Sequence, residues 1–164
     1  MATLENPFER VRPKMVSARI ELISRLAKFE HAELTLAPAP DEWSALEIAQ
    51  HIYVADALFL NQLRTILSDE NPLIGAPEEE APRQTRASEA PVSLEAVLAG
   101  MAARREDLFE YLSTQPAEAW EHPFRHPHWG QLKFYQLVNI LPQHDQQHAQ
   151  QLADIKAALT PTQS

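Results

Sequence analysis

Apolar residues recur along this chain at steps of three and four, and they do so in four separate runs. Met15, Ala18, Leu22, Leu26 and Phe29 make one stripe, which predicts a first helix from about Pro7 to Glu30. Ile48, Ile52, Ala55, Phe59, Leu63 and Ile66 make a second, on a helix from about Ala45 to Ser68. Its start is marked by Ser44-Ala-Leu-Glu47, a capping box in which Ser44 closes the Glu47 amide and Glu47 reaches back to Ser44. Leu94, Val97, Leu98, Met101, Leu108 and Leu112 predict a third helix over Leu94 to Ser113. Leu137, Leu141, Leu152, Ile155 and Leu159 predict a fourth from about Leu132 to Leu159. No segment alternates apolar and polar residues as a half-buried strand does, so no strand is expected.

Prolines punctuate these runs. Pro38 and Pro40 mark one break, Pro72, Pro77, Pro82 and Pro91 a second, and Pro116, Pro123 and Pro127 a third. Four amphipathic helices of this length pack most simply as an all-α four-helix bundle, here one domain over residues 1–164. The connection from Asp69 to Val92, with Glu78, Glu79 and Glu80, reads as a solvated crossover. A crossover that long frees the second and third helices from being antiparallel neighbours.

Composition narrows the chemistry. The 164 residues carry a net charge of −9, which argues against nucleic acid and anionic membrane as partners, since both attract clustered Lys and Arg. Without cysteine, the chain supplies neither disulfides, nor zinc thiolates, nor a thiol nucleophile. Any metal must be held by imidazole, carboxylate or water. The opening residues lack the apolar core of a signal peptide and no run is long enough to span a bilayer, so the cytoplasm is the default expectation. Phe8, Leu34 and Leu36 are candidates for an exposed apolar face through which a homodimer forms.

Seven histidines remain, including two pairs at a spacing of four. His122 and His126 each precede a proline, which drives them out of the helical region, so they cannot stack on one helix face and are expected to pack in a loop or face water. His128 is close enough in sequence to fold toward the open end of the bundle. His144 and His148 lie in helical sequence on one face, continuing the Leu137–Leu141 row. They are either core histidines bonded to neighbours or a pair gripping one ion. His51, on the inner side of the second helix about 60° from its stripe centre, makes a third inward histidine. Pro142, two residues before His144, is expected to kink the last helix.

Trp43-Ser-x-x-Glu47-Ile-x-x-His51, then Phe-x-His-Pro-x-Trp-Gly at Phe124–Gly130, then His144-x-x-x-His148-x-x-Gln151-Leu follow in order. This series resembles the DinB-like (DinB/YfiT) superfamily of metal-binding four-helix bundles. The resemblance implies metal ligands at His51, His144 and His148, with an open coordination position. It also implies thiol transfer or thiol-dependent isomerisation among the family's activities, with a low-molecular-weight thiol as cofactor. The expected function is therefore a divalent-metal-dependent enzyme acting on a small molecule, a thiol-dependent transferase or a hydrolase, with zinc or nickel foremost among zinc, nickel, copper and iron. The alternative is a non-catalytic bundle with a structural metal or a polar histidine core, or a dimerisation module. Asp56, Asp145, Gln147 and Gln151 are candidates to orient the imidazoles, and Tyr53, Tyr135 and Trp129 to line the pocket.

Overall fold

The computed structural model describes residues 6–75 and 90–159, so the Glu78–Glu80 run lies outside the described residues. Helix α1 spans Pro7–Leu26, with Asn6 accepting from the Phe8 amide at 2.9 Å and proline at its first position. It ends before Glu30 because the chain tightens there. The Lys28 amide bonds the Arg25 carbonyl and the Phe29 amide that of Leu26, three residues back, and this turn still buries Phe29 in the core. Helix α2 spans Ala45–Ser68 and opens on the expected capping box, with Glu47 N to Ser44 Oγ at 3.2 Å and Ser44 N to Glu47 Oε1 at 3.1 Å. Helix α3 spans Leu94–Ser113 behind a Ser93 cap, and α4 spans Phe134–Leu159.

The contacts set the helix directions. Gln50 bonds the Pro91 carbonyl, Arg104 the Tyr53 carbonyl, and Arg64 lies over Tyr111, so α2 and α3 run parallel. Arg19 meets Asp145, and Glu33, just past α1, meets Lys156, so α1 and α4 are also parallel. Phe8 against Phe109, and His51 against His148 with Phe59 against His144, set the two pairs antiparallel to each other. Parallel neighbours must be joined by a connection that returns along the full helix, about 36 Å for 24 residues at 1.5 Å each. That is the physical reason for the long crossover.

Between α3 and α4 lies a feature the hydrophobic pattern did not predict. Strands β1 (Pro123–His126) and β2 (Gly130–Lys133) form an antiparallel hairpin, and α4 consequently starts at Phe134 rather than Leu132. Phe124 faces inward, cross-strand from the half-buried Leu132. Four residues per strand are too few for period-two alternation to stand out. The segment after α2 is pinned to this hairpin, with Arg125 N to Pro72 O and Ile74 N to Arg125 O both at 2.8 Å. Phe8 and Leu34, expected on an exposed face, are instead in the core, while Leu36 is exposed.

One charged residue from each helix meets at the bundle's centre. Arg19 bonds Asp56 through two hydrogen bonds (2.9 and 3.0 Å) and Asp145 through two more (3.0 and 3.2 Å), and Arg105 reaches Asp56 at 3.2 Å and Asp145 at 3.4 Å. All four are buried. Burial pushes the Asp56 carboxyl upward, but Arg19 and Arg105 more than offset it and hold it below the ordinary carboxylate range. For Arg19, burial acts to lower and the two carboxylates act more strongly to raise, so it stays charged.

Candidate metal centre

Ser44 fixes where α2 begins, and two turns later His51 enters the core almost completely buried, edge-on to Trp43. From α4, His144 and His148 project one turn apart toward the same point. The Nε2 atoms of His51 and His144 are 3.4 Å apart, those of His144 and His148 3.2 Å, and the three candidate ligand atoms all lie within 4.8 Å of one another. The three histidines singled out in the sequence are thus brought together.

Hydrogen bonding among these rings is a poor account of that convergence. A ring nitrogen carries one proton or one lone pair, so His144 Nε2 has to serve two neighbours with a single group. A cation suits the geometry better. With nitrogens about 2.05 Å from a tetrahedral zinc, neighbouring nitrogens stand about 3.3 Å apart, close to the His51–His144 and His144–His148 separations. His148 is also in the required tautomer. Its Nδ1 lies 2.8 Å from Gln151 Oε1, which can only accept, so Nδ1 bears the proton and Nε2 the lone pair.

His144 and His148 form part of the wall of a cavity of about 440 Å³ between α2, α4 and the hairpin. Phe59, Phe124, Leu137 and Ile140 supply much of its apolar surface. Trp129, 59% exposed, lies on its hairpin side, as expected of a pocket residue, whereas Tyr53 packs on Arg104 and Tyr135 lines a different cleft. Gln147 borders the cavity. Asp56 and Asp145 pair with arginines. They belong to the four-charge cluster, and Asp145, next in sequence to His144, bonds Arg19 and Arg105.

The hairpin histidines separate. His122 Nε2 lies 2.6 Å from the Asp69 carbonyl, and His128 is exposed. His126, expected in a loop, ends β1, is buried, and lines the cavity while stacked on Trp129 at 4.2 Å. Its Nδ1 accepts from the backbone amides of His128 (3.1 Å) and Trp129 (3.2 Å), which fixes the proton on Nε2. The following proline, which excluded a helical pair, says nothing against a place in the pocket.

Two solved structures share this architecture. YfiT from Bacillus subtilis, described as a probable metal-dependent hydrolase with an unusual four-helix bundle topology, superposes with a TM-score of 0.69 at 13% identity, covering 96% of this chain and 88% of that one. TT2238, described as a four-helix bundle protein, gives 0.64 at 19% identity, covering 90% of this chain and 98% of that one. At such identities the likeness shows the fold. No curated protein matches the sequence. The DinB superfamily model matches residues 15–152, a span that holds all three converging histidines and all four residues of the charge cluster. The chain belongs to the DinB superfamily.

Proposed function

We propose that this protein is a divalent-metal-dependent enzyme, a hydrolase or thiol-dependent transferase, whose ion is held by His51, His144 and His148 beside the 440 Å³ cavity. The observation that carries the reading is the convergence of three imidazole nitrogens at ligand spacing where two of those rings border a space able to hold a substrate. A bound divalent cation supplies Lewis acidity there and lowers the pKa of a water or thiol nucleophile. The chain's own residues do the rest. Gln151 holds the His148 ring, Trp43 and Phe59 pack edge-on against His51 and His144, and the apolar wall shapes the space beside them. A cavity this size lies within the roughly 300–1,000 Å³ usual for small-molecule sites. The YfiT description as a probable metal-dependent hydrolase supports the reaction class, and imidazole donors suit zinc or nickel.

Elemental analysis after chelator-free purification tests the reading. Wild type is expected to hold about one equivalent of metal and His144→Ala to lose it while keeping the helical circular-dichroism spectrum, because the core and the charge cluster hold the bundle without the ion. Less than about a tenth of an equivalent in wild type, with no stabilisation on adding Zn²⁺ or Ni²⁺ in a thermal-shift series, overturns it.

A further inference from the structure

On the side of the bundle away from the cavity, α1 and α3 form a face with an apolar ridge. Val16, Ile20 and Ile23 are 39%, 63% and 39% exposed, and they follow one another along α1 at steps of four and three. At about 100° per residue these steps draw one line on the outer side of the helix, away from the buried Met15, Ala18 and Leu22. Beside it runs α3, where Phe8 meets Phe109 and Arg19 and Arg105 share Asp56. The exposed positions of α3 between Glu95 and Glu106 are all alanine: Ala96, Ala99, Ala102 and Ala103. The ridge therefore stands next to a floor of small residues.

Charge selects what covers this face. Glu21 pairs with Arg25, which leaves Arg10, Arg12, Lys14 and Lys28 against Glu9 on α1 and the turn after it. The exposed charges of α3 are Glu95, Glu106, Asp107 and Glu110, all acidic. A partner of one sign would be repelled by half of the face. A second copy is not, because a two-fold axis running along the helices sets each basic α1 over the partner's acidic α3. An axis across the helices would instead set α1 on α1 and α3 on α3, like charge on like. Rotation about the first axis keeps every residue at its own height, and α1 and α3 are antiparallel. Val16 and Ile20 of one copy then come level with Ala102 and Ala99 of the other, and Arg12 with Glu106. A 20-residue helix is about 30 Å long, and two neighbours about 9 Å apart present a strip some 18 Å wide, so each copy buries on the order of 500 Å². The total, on the order of 1,000 Å², just reaches what a specific interface needs and implies a reversible dimer. We propose that the α1–α3 face is a homodimer interface, with the Val16–Ile20–Ile23 ridge of each copy seated on Ala99 and Ala102 of the other. Phe8 and Leu34, two of the three residues that suggested a dimer face in the sequence, are buried and leave the role to this one.

Sedimentation velocity of the full chain from about 2 to 200 µM tests this. Wild type is expected to pass from monomer to dimer across that range. Ile20→Glu, at an exposed helix position, should weaken association at least about tenfold with an unchanged circular-dichroism spectrum. Arg12→Glu and Glu106→Arg should each weaken it at least about fivefold, since the two-fold axis applies each change twice, and the double variant should restore it. A monomer at every concentration overturns the proposal, as does an Ile20→Glu dimer of wild-type affinity. Failure of the double variant to recover what the single charge reversals lose overturns it as well. The charge variants carry the test even if Ile20→Glu does not fold.

Discussion

At His148 the two ring nitrogens have different partners, Gln151 on one side and His144 on the other, and this makes Gln151 part of the site's chemistry. Gln151→Leu leaves the ring free to rotate and to change tautomer. It should weaken metal binding about 10- to 100-fold with the helical content intact. Competition with a chromophoric chelator measures this, and unchanged affinity would remove Gln151 from the site. The histidine spacing in α4 was legible because helix geometry alone puts His144 and His148 together, and His51 because it lies on the same side of α2 as Ile48 and Ile52. The partners of Asp56 and Asp145 were not legible, since they depend on which helices become neighbours. A signal for the missing ones did exist. Arg19 lies between Met15 and Leu22 and Arg105 between Met101 and Leu108, each at steps of four and three within an apolar stripe. A cation in that phase must find a buried anion, and each helix carries one charge so placed.

At the scale of elements, α2 and the hairpin contrast. The bounds of α2 followed from the sequence because its capping box is a local device whose two bonds involve only Ser44 and Glu47. Ser44→Ala should therefore cost about 1 kcal/mol, read from the urea midpoint. The hairpin depends instead on tertiary pairing with residues 72–74 and on Gly130, whose φ of 75° is open to glycine and strained for other residues. A Cβ at Gly130 meets nothing within 4 Å, so Gly130→Ala isolates the backbone term. Its expected cost is about 1–2 kcal/mol, or a fall in Tm of roughly 2–8 °C, by calorimetry. No loss would mean that the turn relaxes. Trp129 adjoins this turn and borders the cavity, so the same substitution is expected to disturb ligand binding more than metal content.

Across the whole molecule, the charge cluster ties together four helices whose parallel pairing needs the long crossover. It also places Asp145 one residue from a candidate ligand. Two cations and two anions balance, so removing one leaves an uncompensated buried charge. Arg19→Met is expected to destabilise by about 3–5 kcal/mol, whereas replacing all four by apolar residues of similar volume should be close to neutral. The same cluster sets the acid limit of the fold. Arg19, Arg105 and Asp145 face Asp56, and the two guanidinium groups overcome its burial and hold its folded-state pKa below the unfolded value of about 3.9. A depressed carboxylate contributes stability that is complete above the unfolded pKa and disappears as pH falls through the folded one. Arg19, raised instead, contributes stability already complete at every pH below its unfolded value, so it adds no slope near neutrality. The urea midpoint of wild type should thus show no Asp56 contribution to its pH dependence between about pH 5 and 8, then fall steeply below about pH 4. In Asp56→Asn that acid limb should be shallower, because the group that must take up a proton is gone. An equally steep limb in the variant would assign acid unfolding to other carboxylates.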